Sequence, residues 1–186
     1  TKLLGLSIAH GTLDYAKELF DKINARIPPK QRPLIVLGNV IPNYIPETLL
    51  REYFQGALIV QGEGETPLVE LAEHVKGLRK LEEVHNLFYL KDDQFVSTDK
   101  IEVDLDEFAS PDMAEIVRFG KQGVKVLLES SRGCPWGACL FCASRDLLGS
   151  RKKERRWRGK RTEQVLSEIR VLIDNGVESF DFSDEE

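Results

Sequence analysis

Residues 130 to 146 read SSRGCPWGACLFCASRD, and they hold all three cysteines of this 186-residue chain, Cys134, Cys139 and Cys142. Deprotonated cysteine sulfur is a soft metal ligand and a nucleophile, and a loop can aim several thiolates at one point without obeying a helical or strand period. An odd number of thiols cannot be closed by internal pairing, and a secretory disulfide framework scatters its cysteines rather than crowding them. Metal binding or catalysis in a reducing compartment fits better. Iron–sulfur clusters usually take four cysteines, so a site with three leaves one iron without a protein ligand. Gly133 and Gly137 supply backbone freedom beside the candidate ligands. Two other readings stay open on the residues alone. A Cys3His zinc site needs a fourth ligand, and the histidines, His10, His74 and His85, are all remote in sequence. Three inert buried thiols would be a purely structural use.

The elements that must position this loop follow from apolar periodicity. The run from Leu3 to Ala9 is strand-length, and Leu13, Ala16, Leu19, Phe20 and Ile23 then form one helical stripe. Pro28-Pro29 ends that helix. Leu34 to Leu37 predicts a second strand, Pro46 a short helix to about Tyr53, Ala57 to Val60 a third strand, and the GEGE run, Gly62 to Glu65, leads into a helix through Val75. Near-continuous apolar strands separated by helices indicate a parallel sheet covered on both faces. Residues 1–80 are therefore expected to form a Rossmann-like domain. Residues 81–120 read as a linker region carrying a hairpin, Leu87 to Leu90 and Phe95-Val96 about an acidic turn. Residues 121–186 resume the alternation: a strand from Val124 to Glu129, the cysteine loop, a helix from about Glu163 to Asp174, and a strand at Phe180 to Phe182.

Composition sets the outer limits. The chain is 41% hydrophobic, enough for a core, and its net charge of −5 conceals an asymmetry. Residues 1–120 carry 13 Lys and Arg against 20 Asp and Glu, residues 121–186 13 against 11. Eight of the eleven residues from Arg151 to Arg161 are basic, a pattern of a solvated loop or of a site for an anionic ligand or nucleic acid. No run approaches the ~18 apolar residues of a membrane span, so the protein is expected to be cytoplasmic and off the membrane. The chain opens without Met almost on a strand and stops directly after one, so it reads as a segment of a longer chain.

The run Ser131-Arg132-Gly133-Cys134-Pro135, with Phe141 just before Cys142, resembles the cluster loop of the radical S-adenosylmethionine (SAM) enzymes. Those enzymes usually have C-x3-C-x2-C, whereas the spacing here is C-x4-C-x2-C. Arg158 to Ile169 is similar to the family's stretch opening the first barrel helix, and Phe180 to Glu185 to its acidic-ended second strand. Upstream, Gly62 to Glu65 and Val103 to Glu107 resemble the last helix and the connector of the cobalamin-binding domain of one subgroup. The resemblance implies an α/β fold, a partial cobalamin-binding-like Rossmann sheet followed by the start of a partial TIM barrel. It also implies a [4Fe-4S] cluster on Cys134, Cys139 and Cys142, with SAM on the fourth iron and reductive cleavage to a 5′-deoxyadenosyl radical. Asp184 and Glu185, at a strand's C-terminal end, are then candidates to contact SAM, and Phe141 to contact the cofactor or pack the loop. A small-molecule or peptide substrate and an electron donor such as flavodoxin or ferredoxin are implied partners, and radical methyl transfer an implied activity.

The cobalamin motifs of that subgroup are only partly present in these residues. No histidine sits in a D-x-H-x-x-G motif, which the family places ahead of the first strand present here. Ser7 occupies the place of a serine lining the cobalamin tail pocket, but Gly38-Asn39 replaces a Gly-Gly pair, and an Asn side chain is expected to crowd a bulky tail. A transfer-RNA-modifying enzyme would use the basic run, although its methylthiotransferase branch needs three further cysteines that the chain lacks. The competing class is a non-catalytic module in which the cluster serves structure or electron transfer.

Overall fold

The computed structural model describes residues 2–107, 110–142 and 157–184, which fall into two compact units, Thr1–Glu102 and Val103–Glu186. In the first unit a five-stranded sheet has the order β1-β2-β3-β4-β5. Strands β1 (Leu3–Ser7), β2 (Leu34–Gly38) and β3 (Leu58–Val60) are parallel, and β4 (Leu87–Lys91) and β5 (Gln94–Ser97) add an antiparallel hairpin at the β3 edge. The crossovers carry α1 (Leu13–Arg26) and, before β3, the short α2 (Val40–Tyr44) and α3 (Pro46–Thr48), which runs on as a π-helical turn to Tyr53. Helix α4 (Glu65–Val75) follows β3.

The unbroken apolar runs are explained by burial on both faces. Ile35, Leu37 and Ile59 pack with Phe20 and Phe54 on one side, while Val36, Leu58 and Val60 pack with Leu71 and Val84 on the other. Each such side chain contributes about 1.5–3 kcal/mol on leaving water, so neither face tolerates a register slip.

The hairpin lies where its turn predicts, with Asp92 and Asp93 at φ 49° and 62°, the left-handed pair of a two-residue turn. It is not part of a separate linker, however. Ile59 pairs with Phe88, and Leu87, Phe88 and Tyr89 are buried, so these strands complete the first sheet and the unit extends to Glu102. Asn86, buried beside them, donates to the Ile101 carbonyl at 3.0 Å and accepts from the Ile101 amide at 2.7 Å.

The second unit begins with a helix absent from the expected linker, α5 (Met113–Lys121), capped by Asp112, whose carboxylate accepts from the Ala114 and Glu115 amides. Strands β6 (Val126–Leu128) and β9 (Phe180–Phe182) are parallel, joined through α6 (Thr162–Asp174), which makes a βαβ unit. Val117, Val126, Leu128, Leu172 and Val177 form its core. Between β6 and α6 stands a ribbon, β7 (Ser131–Gly133) antiparallel to β8 (Trp157–Gly159), which closes the base of the cysteine loop. Among the described residues no helix is long and apolar enough to cross a membrane.

Candidate functional site

The cysteine loop leaves the βαβ unit at the C-terminal end of β6, the end at which such units carry their sites. Its root is tied from two directions. The Ser130 carbonyl accepts from the Lys160 amide at 2.8 Å, and Asp184, just beyond β9, accepts from the amides of Ser130 and Ser131 at 2.8 and 3.0 Å. The Ser130 hydroxyl donates to the other oxygen of the same carboxylate. Ser183 closes the frame, its amide donating to the Leu128 carbonyl at 2.8 Å. Gly133 then turns the chain at φ 82°, a conformation open to glycine, and Cys134 follows directly.

Cys134, Cys139 and Cys142 are each half-buried and free of disulfides. The Cys142 amide donates to the Cys139 carbonyl at 3.3 Å, so the C-x2-C portion closes as a turn. Gly137, buried and at φ 49°, bends the longer C-x4-C portion. Trp136, Leu140 and Phe141 stand out into solvent, the last two more than nine-tenths exposed. Among the described residues no three His, Cys, Asp or Glu side chains are close enough to hold a metal ion, so the loop collects the thiols within one short stretch without gathering them at a point. The donor set itself, three free and partly accessible thiols beside two left-handed glycines, suits a soft cluster. Glu185 and most of the basic run, residues 151–156, lie outside the described residues.

The basic residues that are described serve local structure. Arg158 donates to the Val103 carbonyl at 2.8 Å, and the Arg161 amide donates to Asp106 at 2.7 Å, which fastens the 103–107 connector to the segment ahead of α6. Lys160 pairs with Glu168, 3.4 Å away, where Ser110 also donates at 2.9 Å. The sequence makes Asp184 a candidate SAM contact; in the structure its carboxylate accepts from Ser130 and Ser131. The bonding roles of Ser130, Glu168 and Ser110 are not singled out by the sequence, although the serine doublet ahead of Arg132-Gly133-Cys134 is a usable signal.

In the first unit a cavity of about 330 Å³ opens at the C-terminal ends of β1, β2 and β3, lined by Gly5, Ser7, Gly38, Asn39, Gly62 and Gly64 among others. Open parallel sheets place ligands at this end. Asn39 adopts φ 78°, as a glycine would, and both ends of its side-chain amide are hydrogen-bonded. Its Oδ1 accepts from the Val40 amide at 2.7 Å and its Nδ2 donates to the Ser7 hydroxyl at 2.9 Å. Asn43 accepts from the amide of Gly62, one of the lining glycines, at 2.8 Å. The glycine lining leaves room for a bulky group, and Ser7 lines the same cavity with its hydroxyl held by the Asn39 amide. His74 and His85 are used elsewhere, on the Arg79 carbonyl and on Glu70.

A Rossmann-like sheet followed by a strand, cysteine loop, helix and strand defines an α/β protein of two units. No protein-family model matches the chain. It is 31% identical over 177 residues to 4′-phospho-dehydrooxetanocin synthase of Priestia megaterium, covering 94% of this chain and 23% of that protein. Among solved structures, OxsB, a cobalamin-dependent SAM radical enzyme with aqua-cobalamin and SAM bound, covers the whole chain at 29% identity and a TM-score of 0.81, and 26% of its own length is matched. The radical SAM methyltransferase TsrM from Kitasatospora setae, with tryptophan and a SAM analogue bound, shares the fold at 20% identity and a TM-score of 0.72, over 37% of its chain. The chain is thus related over its whole length to the cobalamin-dependent radical SAM enzymes. It spans about a quarter of the length of the synthase and of OxsB.

Proposed function

We propose that the chain is the cobalamin-binding-like and cluster-binding portion of a radical SAM enzyme that modifies a small molecule or peptide, with radical methyl transfer as its activity. The observation that carries this reading is the likeness of the whole chain to about a quarter of OxsB together with three free thiols confined to residues 134–142. Cys134, Cys139 and Cys142 would hold three irons of a [4Fe-4S] cluster and leave the fourth for SAM. When bound, the cluster supplies the electron for reductive cleavage of SAM, chemistry that belongs to the cofactor.

The protein's own task is to place and shield. The β7–β8 ribbon fixes the loop's base, Gly133 and Gly137 let the backbone pass close to an inorganic core, and the exposed Phe141 and Trp136 are apolar surface available to cover it. Ser7 and the glycine-lined cavity would receive the cobalamin tail, with Asn39 turned from its partner to make room. An electron donor such as flavodoxin or ferredoxin would reduce the cluster.

The test is anaerobic reconstitution of the intact protein, followed by assay for 5′-deoxyadenosine with SAM and a reductant. Product dependent on all three cysteines supports the reading; a cluster that forms without cleaving SAM supports a structural or electron-transfer module instead.

A further inference from the structure

Asp184 is held in a fixed frame. Val126, Leu127 and Leu128 pair in register with Phe180, Asp181 and Phe182, and both the amide and the hydroxyl of Ser183 bond the Leu128 carbonyl. From that frame a single carboxylate takes three donors across more than fifty residues of sequence, two backbone amides and one hydroxyl, all from Ser130 and Ser131. Hydrogen bonds to an ionised carboxylate are roughly twice as strong as neutral ones, and two amides on one oxygen fix the direction of the peptide planes. The Lys160 amide holds the Ser130 carbonyl from the other side. Ser130 is therefore gripped at its amide, carbonyl and hydroxyl, and Cys134 lies only three residues past Ser131.

We propose that Asp184 is a positioning residue for the cysteine loop: it holds the loop's root so that Cys134 leaves at the angle a cluster needs, rather than serving as a SAM ligand. The inference rests on the cluster-binding reading above. Direct hydrogen-bond partners of metal ligands typically cost about 10- to 100-fold in metal affinity when removed; Asp184 acts one step further back, through Ser130 and Ser131, so the low end of that range is expected. An asparagine at this position keeps an oxygen for both amides but gives up the charge and puts an NH2 group where the Ser130 hydroxyl now finds an acceptor.

The experiment compares the intact parent protein with Asp184→Ala and Asp184→Asn by anaerobic iron and sulfide titration, reading the charge-transfer absorption, and by amide exchange on the metal-free proteins. Asp184→Ala is expected to weaken iron uptake about tenfold or more and to lose exchange protection at Ser130 and Ser131 while α6 stays protected. Asp184→Asn, which keeps both amide bonds but loses the charge and the acceptor for the Ser130 hydroxyl, should fall between the parent and Asp184→Ala in both. Ser130→Ala removes one donor and leaves the β6–β9 ladder alone, so it serves if Asp184→Ala does not fold; it should weaken uptake by a smaller factor. Parent-like iron uptake in Asp184→Ala, or in Ser130→Ala where that variant stands in, overturns the inference, above all if SAM affinity alone is lost. If the parent itself takes up no iron, the cluster reading falls, and unchanged exchange at Ser130 and Ser131 in the variants then removes the clamp as well.

Discussion

The Nζ of Lys160 stands 3.4 Å from the carboxylate of Glu168, with side chains only 9% and 2% exposed, and the Ser110 hydroxyl donates to the same carboxylate. Lys160 thus links the ion pair on α6 to the loop root, since its backbone amide bonds Ser130. Removing one partner of a buried pair strands the other charge, at a cost of about 3–5 kcal/mol, whereas replacing both by apolar groups of similar volume is often near neutral. Glu168→Ala is therefore expected to lower unfolding stability by that amount in denaturant titrations. The double change Lys160→Met with Glu168→Leu should recover most of it. Equal losses in the single and double variants would contradict a desolvated pair.

Asn39 makes the proposed cobalamin pocket testable by itself. Its amide holds the Ser7 hydroxyl, a bond worth about 0.5–1.5 kcal/mol net, and its backbone already sits at a φ suited to glycine. Asn39→Gly should tighten cobalamin binding by about threefold to tenfold, read from the absorption change on titration. Unchanged or weaker binding would contradict the proposed crowding.

Gly133 carries a third prediction. Its φ of 82° lies in the left-handed region, where an L side chain costs about 1–2 kcal/mol. Gly133→Ala should weaken iron uptake by about tenfold with little change in the thermal stability of the first unit. Parent-like uptake would show that the turn before Cys134 tolerates a side chain.

Much of this was legible in the sequence because the apolar runs obey a local rule. Ile35, Val36 and Leu37 are consecutive and apolar, and the sheet buries them on alternate faces. The Asp92-Asp93 turn was legible for the same reason. Helix α5 was not: the acidic run from Glu102 to Glu107 read as linker, although Asp112 caps and Met113, Ile116 and Val117 pack as a helical stripe. The β7–β8 ribbon was hidden too, since Ser131-Arg132-Gly133 and Trp157-Arg158-Gly159 show no alternation and are defined by pairing across the loop. The role of Asp184 depends on partners more than fifty residues away, which no window of sequence contains.

Tyr89 gives a pH signature to the first unit. Burial, aided by the Glu82 carboxylate and opposed by Lys91, pushes its hydroxyl above the ordinary phenol value of 10.0. A group whose folded pKa is raised contributes stability that is whole below the unfolded value and is lost as pH rises past it. Thermal stability should therefore fall above about pH 10, and less steeply in Tyr89→Phe. Parallel pH profiles for the two proteins would contradict this.

The most direct test of the central claim is the iron and acid-labile sulfide content of the intact protein after anaerobic reconstitution, beside Cys134→Ser, Cys139→Ser and Cys142→Ser. One four-iron cluster per chain, lost in each variant, is the predicted result. A parent that takes up no iron and shows no charge-transfer absorption with its thiols intact, or three variants that load like the parent, would contradict it.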